Sequence, residues 1–260
     1  MTMQLSSESA PALEVVDDRA RSTARYGIYF APCPESPWWR AGSAWLGRDA
    51  WSGQACVQPD IGGLPPALLA SLTAAPRRYG LHATLKAPFH LAAGYGEGDL
   101  LLLARQVAAT ERPLALTGMT MQMLRGFLAL QLPRAAVASS AAVSALASRC
   151  VAAFDPLRAP PDAHESTRRR RMRLSPRQEA LLQRWGYPYT EEEFCLHMTL
   201  TDRLDALAPP QAACIAAAAE SAFAQAARQQ VLAIDALTIF RQPHADASFE
   251  VWQRVPFGSM

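Results

Sequence analysis

The chain has 260 residues, of which 50% are hydrophobic and 18% are charged. That composition supplies enough apolar side chains for a large core and excludes disorder along the whole length. The net charge is +2, which excludes binding of nucleic acid through bulk positive charge, so any bound anion must be held by local groups.

The cysteines and the first residues bear on the compartment. The five cysteines are scattered and lack Cys-x-x-Cys spacing, so neither a disulfide framework nor a zinc site is indicated. Residues 1–24 are polar and lack the apolar run of a signal peptide, and we expect a flexible leader there. The Ala-rich segment 206–227 is interrupted by Pro, Gln and Glu, so it predicts an amphipathic helix and no membrane span. We therefore expect a cytoplasmic protein with no obligate protein partner.

Taken in chain order, the first half alternates strands with helices. Aromatic and β-branched residues predict the first strand, period-two alternation predicts the second, and Pro or Gly marks most of the ends. The predicted elements are a strand at 25–30, an irregular Trp-rich segment at 38–60, a helix at 64–72, a strand at 79–86 that Pro88 stops, a helix at 99–110 with Asp99 as its N-cap, two strands within 114–132 joined at Arg125-Gly126, and a helix at 135–154.

A crossover with three prolines and an Arg run, residues 155–175, leads into the second half. The predicted elements there are a helix from Ser175-Pro176 to residue 185, a strand at 194–201, a helix at 209–230, and strands at 233–241 and 248–255. Each half places a strand, then a helix, then a pair of strands. This order predicts a weak internal duplication within a single domain, residues 25–257.

The second strand of the first half and the first strand of the second half carry the same short motif, His-x-Thr. It reads His82-Ala-Thr84 in the first half and His197-Met-Thr199 in the second. Successive side chains of a strand point to opposite faces, so His and Thr share one face while the flanking leucines face the core. Two imidazoles in one cleft can divide proton transfer between an attacking and a leaving oxygen. The threonine hydroxyls can hydrogen-bond the oxygens of a phosphate.

One His-x-Thr tripeptide arises easily by chance, and a lone histidine on a strand is usually a satisfied polar residue. Two copies in matching contexts, Leu-His-Ala-Thr-Leu and Leu-His-Met-Thr-Leu, favour a catalytic role. Strict alternation adds Lys86 and Thr201 to the same faces. Lys86 is the only lysine of the chain, and we predict that its charge neutralises a phosphate; a solvated position at the cleft rim is the alternative.

The doubled motif resembles that of the 2H phosphoesterase superfamily, which is named for two His-x-Thr/Ser motifs on opposite lobes of a pseudo-twofold α+β fold. Longer strings at 79–89, 174–177 and 184–189 resemble a branch of uncharacterised bacterial proteins associated with phosphonate metabolism. The resemblance implies a two-lobed α+β fold with antiparallel sheets lining a central cleft and helices outside. It also implies metal-independent chemistry on cyclic phosphodiesters, with no cofactor, carried by His82, Thr84, His197 and Thr199.

A dense basic run, Arg168, Arg169, Arg170 and Arg171, precedes the second motif. Two interpretations of this run are equally supported by the sequence. It is a solvated surface segment, as charge runs usually are, or it is a flap whose guanidinium groups bind further phosphates of the substrate.

The resemblance, together with the sparse local charge, implies an enzyme that hydrolyses a cyclic phosphodiester, and we expect a small phosphorylated ribose cyclic phosphate of phosphonate breakdown as its substrate. Long RNA would need a continuous basic track with stacking aromatics, and outside residues 168–177 the charge is nearly balanced. The alternatives are a 2′,3′-cyclic phosphodiesterase acting on RNA ends and a nucleotide- or RNA-binding module without turnover.

Overall fold

A computed structural model describes residues 23–161 and 173–258, and its main feature is a large antiparallel sheet. The strands are β1 (Arg25–Phe30), β2 (Ala83–Phe89), β3 (Leu114–Ala115), β4 (Thr120–Leu124), β5 (Phe127–Gln131), β6 (His197–Arg203), β7 (Ala233–Ile234), β8 (Ala236–Gln242) and β9 (Glu250–Pro256). Seven of them form the sheet in the order β4-β5-β6-β2-β1-β8-β9, and β3 pairs with β7 in a separate ribbon.

Seven α-helices lie within the part of the chain that the structure describes. They are α1 (Pro37–Leu46), α2 (Pro66–Leu72), α3 (Ala74–Arg77), α4 (Glu97–Thr110), α5 (Val137–Phe154), α6 (Pro176–Trp185) and α7 (Pro209–Gln229), with short 3-10 turns at Asp155–Leu157 and Glu191–Glu193. Ser36 caps α1 by accepting the Trp38 N–H, and Ser175 caps α6 by accepting the Gln178 N–H.

The prediction of an irregular segment at 38–60 is wrong for its first part, which α1 occupies. A proline opens this helix where a missing N–H costs nothing, and Gly47 ends it with a left-handed φ of 79°. Trp38, Trp39 and Trp45 are buried. The Trp-rich sequence therefore belongs to a helix that packs into the interior.

Two other element ends differ from the predicted ones. β2 runs to Phe89, so Pro88 lies inside the strand rather than beyond it, at a point where the pairing with β1 shifts register. The helix predicted from residue 99 begins earlier, and the Asp99 carboxylate accepts the backbone N–H of Gly96 from the first turn.

The core is divided between the two faces of the sheet. Ile28 and Phe30 of β1 belong to a large cluster with residues of β2, β6, β8 and the helices α1, α4, α5 and α7. Tyr29, which alternates with them, belongs to a smaller cluster on the opposite face with Trp39, Phe240 and Phe249 among others. The face that carries Tyr29 is the less deeply covered one, and it leaves room for a cleft.

The segment Val137–Leu157, which is α5 with the 3-10 turn that follows it, is the one described helical segment that is long and apolar enough to cross a membrane, with a mean hydropathy of 1.5. Its residues Leu146, Cys150 and Phe154 are buried in the large core cluster, and the helix packs against β2. An apolar helix packed into a core passes the same test, and we interpret α5 in this way.

The two motif strands are neighbours in the middle of the sheet, where β2 pairs antiparallel with β6 through Ala83 and Met198. The β4–β5 hairpin of the first half flanks β6, and the β8–β9 hairpin of the second half flanks β1. The α+β class with antiparallel strands is confirmed. The strands of both halves form one continuous sheet. The resemblance, by contrast, implied separate sheets that form the walls of a cleft.

Candidate functional site

The pairing of β2 with β6 brings the two His-x-Thr motifs together. Ala83 lies opposite Met198, and both are buried, whereas the four motif side chains on the other face are partly exposed. In an antiparallel pair this register places each histidine opposite the threonine of the other motif. His82 therefore lies opposite Thr199, and His197 lies opposite Thr84. Side chains in such positions have Cβ atoms about 4.5–5.5 Å apart.

Each imidazole is held by the backbone carbonyl two residues earlier. The Nδ1 atom of His82 lies 2.9 Å from the Gly80 oxygen, and that of His197 lies 2.8 Å from the Cys195 oxygen. A carbonyl oxygen only accepts, so Nδ1 carries the proton of the neutral ring and donates it. Nε2 is then the basic nitrogen of both rings, and it has no hydrogen-bond partner among the described residues.

Burial lowers the pKa of both histidines, because an imidazolium loses its hydration inside the protein. The pKa of His82 falls from 6.5 to about 4, and the neighbouring His197 is a smaller cause. The pKa of His197 is lowered first by burial and then by the positive charge of Arg125. Both rings are therefore neutral at pH 7 in the free protein.

Aromatic side chains surround the two imidazoles. The ring of Tyr29 is 1% exposed and lies 4.2 Å from the centre of the His82 ring, and Tyr79 stacks at 5.6 Å. Phe127 lies 5.8 Å from His197. These contacts fix the ring planes and exclude water, which is the physical source of the lowered pKa values.

Two adjoining cavities open at the motifs. His82 and Thr199 line one of about 290 Å³, called here the His82 cavity. His197 lines the other, of about 400 Å³, called here the His197 cavity. Thr84 and Tyr187 line both of them. The four motif residues therefore belong to one cleft with two arms.

The cleft also contains residues that no sequence pattern singles out. Arg125 and Arg203 line the His197 cavity. Burial raises the pKa of Tyr187 to about 12, so its hydroxyl remains a hydrogen-bond donor at neutral pH. Arg125 stands out in the sequence only as half of an Arg-Gly turn, and Tyr187 only as part of an aromatic string. Their contact with the motifs depends on pairings that span the chain.

Lys86 does not share the face of Thr84, contrary to strict alternation. The pairing of β2 with β1 shifts register between these two residues, so that Leu85 is an extra residue and Lys86 turns away. Its side chain is 3% exposed, and Nζ donates to the Val151 carbonyl at 3.1 Å and to the Asp155 carboxylate at 3.2 Å. Lys86 lines neither cavity and fastens α5 to β2.

Thr201 is displaced in the same manner. The pairing of β6 with β5 shifts register between Phe127 and Ala129. Thr201 is fully buried, and its hydroxyl oxygen accepts the Leu128 N–H at 3.0 Å. Each motif strand thus loses its alternation just beyond the threonine, and the residue two places on becomes structural.

The predicted flap residues Arg168, Arg169, Arg170 and Arg171 lie outside the described residues, so their contact with a substrate stays a prediction. Within 23–161 and 173–258, no group of three His, Cys, Asp or Glu side chains is placed to hold a metal ion.

Comparison with known proteins gives a family match. Residues 84–250 match the model of the family DUF1045, described as a protein of unknown function. The matched range includes Thr84, His197 and Thr199 and begins two residues after His82.

The chain is similar to two curated proteins, each named ribose 1,5-bisphosphate phosphokinase PhnN. It is 48% identical to that of Janthinobacterium sp. (strain Marseille) over 250 residues, which are 96% of this chain and 54% of the relative. It is 39% identical to that of Laribacter hongkongensis (strain HLHK9) over 233 residues, which are 89% of this chain and 51% of the relative. The chain thus spans about half the length of the curated relatives it matches.

Proposed function

The chain belongs to the DUF1045 family, and from this premise we propose that it is a phosphodiesterase of the 2H type that hydrolyses a cyclic phosphodiester. The observation that carries the proposal is the antiparallel register of Ala83 with Met198. It sets two imidazoles, whose Nε2 atoms have no hydrogen-bond partner in the described part of the chain, beside the threonine hydroxyls of the opposite motif. Such a pair suits acid–base chemistry at one phosphate.

In the proposed reaction, water adds across one P–O bond of the cyclic phosphate. One imidazole Nε2 takes a proton from water as the water oxygen bonds to phosphorus. The other imidazole gives its Nε2 proton to the ester oxygen as that P–O bond breaks. The products are a phosphomonoester and a free hydroxyl. The hydroxyls of Thr84 and Thr199 donate to the non-bridging phosphate oxygens, which carry the growing charge.

The acid must hold a proton that neither ring carries in the free protein at pH 7. A phosphodiester is an anion, and an opposite charge within about 4–6 Å favours the imidazolium form. We infer that substrate binding raises the pKa of one histidine, which then becomes protonated and can act as the general acid. The other ring, still neutral, is then the base.

The names of the relatives support the substrate class. Opening the cyclic phosphate of a ribose that already carries one phosphate yields a ribose bisphosphate, which is the class of compound in those names. We propose that the substrate is a phosphorylated ribose cyclic phosphate, in keeping with the resemblance to proteins of phosphonate metabolism.

The kinase in the relatives' names is a different activity, and the residues of this chain do not favour it. A P-loop needs Gly-x-x-x-x-Gly-Lys-Ser/Thr to hold the phosphates of ATP. Lys86 is the only lysine in the 260 residues, it follows a leucine, and it is buried against α5. We propose that the part shared with the relatives acts on a related ribose phosphate by hydrolysis.

A screen of cyclic phosphates with a chelator present tests this function. Ribose cyclic phosphate bearing a 5-phosphate, 2′,3′-cyclic nucleotides and RNA with a 2′,3′-cyclic end are each incubated with the protein, and ³¹P NMR follows ring opening. We expect the phosphorylated ribose to give the highest kcat/KM. A higher value for RNA ends would favour the RNA-end phosphodiesterase. Binding without turnover of any of them would favour the binding module, and activity only with added metal would contradict the mechanism.

A further inference from the structure

The two arms of the cleft differ in charge. Among the described residues that line the His82 cavity, Asp202 is the one carboxylate and no side chain is cationic at pH 7, since the motif histidine is neutral. The His197 cavity is lined by two arginines, Arg125 and Arg203, and by two glutamates whose partners are given below. If the phosphodiester lies between the motifs, a second anionic group on the substrate is attracted to the arm with the arginines.

Arg125 occupies a costly backbone position. It is the first residue of the two-residue turn between β4 and β5, with φ of 49°, and Gly126 follows with φ of 92°. Turns with two positive φ values favour Asn-Gly, because a larger side chain at positive φ costs roughly 1 kcal/mol or more. An arginine at this position makes the turn less stable than Asn-Gly would. Residues in such strained backbone conformations concentrate at functional sites.

The guanidinium of Arg125 is held in place but not neutralised. It lies 4.5 Å from the centre of the Tyr189 ring, a cation–π contact. No described carboxylate pairs with it. Arg203, by contrast, pairs with Asp205 at 2.5 Å and donates to the Arg125 carbonyl at 2.8 Å. Arg203 therefore braces the turn, and the charge of Arg125 is left for a ligand.

The same cavity contains an unsatisfied hydroxyl. Thr190 is 5% exposed, and its Oγ1 has no hydrogen-bond partner among the described residues. A buried hydroxyl without a partner costs free energy in the empty site. Because Oγ1 is itself buried, the hydroxyl must turn toward the cavity to donate to a ligand oxygen, and that bond then removes the cost.

The carboxylates that border this cavity are occupied by other groups. Glu191 accepts from Arg177 at 2.6 Å and from the Trp185 indole at 2.7 Å, and Glu193 accepts from Gln178 at 2.9 Å. The charge of Glu191 is thus paired with Arg177, which does not line the cavity, whereas Glu193 is bound, among the described residues, only by a neutral amide, and neither glutamate pairs with Arg125.

We propose that the His197 cavity is the subsite for a phosphomonoester group of the substrate, with Arg125 as its specificity-determining cation and Thr190 as a second donor. The substrate is thus a cyclic phosphodiester that carries a separate phosphate, and this inference rests on the proposed function. The planar guanidinium can make two parallel hydrogen bonds to one phosphate, with the Tyr189 ring behind it.

The variant Arg125→Asn tests the subsite without endangering the fold. Asparagine accepts positive φ and restores the preferred Asn-Gly turn, so the melting temperature should stay the same or rise. The kcat/KM values are measured on ribose cyclic phosphate with and without a 5-phosphate. We expect the preference for the phosphorylated substrate to fall by about 10- to 100-fold, because one charge-assisted contact is lost. Arg125→Lys should restore part of it, and Arg105→Gln, an exposed arginine outside both cavities, is the matched control.

An unchanged preference in Arg125→Asn would overturn the subsite, whether the activity on both substrates falls equally or stays as it was. If the wild type hydrolyses neither substrate, the proposed function fails and the subsite is judged by binding. Ribose 5-phosphate is then titrated calorimetrically into wild type and variant. Weaker binding to Arg125→Asn than to the wild type would support the subsite. Equal binding to both, or undetectable binding to both, would contradict it.

Discussion

At the scale of single residues, the two motif histidines have matching hydrogen bonds. Each Nδ1 donates to the carbonyl two residues earlier, and no residue within 23–161 or 173–258 binds either Nε2. A rotation of either ring would break that bond, and at the partly buried position of His82 it would also leave the N–H without a partner. The two basic nitrogens are therefore held ready before any ligand binds.

Replacement of either histidine by alanine should remove one proton-transfer group. We expect His82→Ala and His197→Ala each to lower kcat by about 10²–10⁴-fold. The double variant should lose less than the product of the two, because a pair that acts as a unit is already disabled by one loss. Steady-state rates and circular dichroism are compared with those of His244→Ala, an exposed histidine. Full activity in either single variant would contradict its role.

The lowered pKa values set the expected pH dependence. The base must be neutral and the acid protonated, so kcat/KM should follow a bell whose limbs report the free protein. One limb lies at about 4 from His82, and the other lies below the ordinary 6.5 because burial lowers the pKa of His197. kcat/KM should thus decline as pH rises beyond 6.5, while kcat, which reports the bound state, declines at higher pH. Rates measured from pH 4 to 9 check this, and a plateau of kcat/KM up to pH 8 would contradict it.

At the scale of elements, the register shifts after the two threonines decide which side chains face the cleft. In β2 the extra residue Leu85 sends Lys86 toward α5, and in β6 a similar shift buries Thr201. The residue beyond each motif is thereby used to attach the motif strand to its neighbour. The His-x-Thr segments line the cleft together with residues that follow the shifts on the same strands, such as Ala87 and Asp202.

Lys86→Met should separate a structural role of this residue from a role in binding phosphate. Methionine keeps the apolar stem but removes the bonds to Val151 and Asp155, and Asp155 keeps its bond to Arg158 at 2.8 Å. We expect the free energy of unfolding to fall by about 1–3 kcal/mol with KM changed less than about threefold. Urea unfolding and steady-state kinetics measure the two effects. A large rise in KM with an unchanged free energy of unfolding would show instead that Lys86 takes part in substrate binding.

At the scale of the whole molecule, the neutral state of His82 links folding to pH. Its pKa is about 4 in the folded protein and near 6.5 when unfolded. Below pH 6.5 the imidazole of His82 binds a proton in the unfolded chain, whereas in the folded chain it does so only near pH 4. Acid therefore favours unfolding. The stability contribution is complete above pH 6.5 and is lost as pH falls toward 4.

His82→Gln should remove part of that acid sensitivity. Glutamine does not titrate, so the loss of stability between pH 7 and pH 5 should be smaller in this variant than in the wild type. Urea midpoints at both pH values measure it, with His244→Gln as the control because that histidine is exposed. An equal loss in wild type and His82→Gln would show that other groups dominate the acid response.

Local sequence determined the elements whose cause is local. The Ser175-Pro176 start of α6, the Arg125-Gly126 turn and the alternating motif strands follow from capping, turn and period rules that act within a few residues. The helix α1 has local signals as well, in the Ser36 cap, the opening proline and Gly47 at its end, but its proline and tryptophan content is typical of an irregular segment and concealed them.

By itself, the sequence determined that two His-x-Thr strands exist and which of their faces is polar, since both facts are set by the residue types and the period of a strand. Only the tertiary structure decided that Ala83 meets Met198, that Lys86 and Thr201 turn inward, and that Arg125 stands beside His197. These depend on strand register and on bulges between segments far apart in the chain. Such pairings are chosen by the packing of the complete core, which no local pattern encodes.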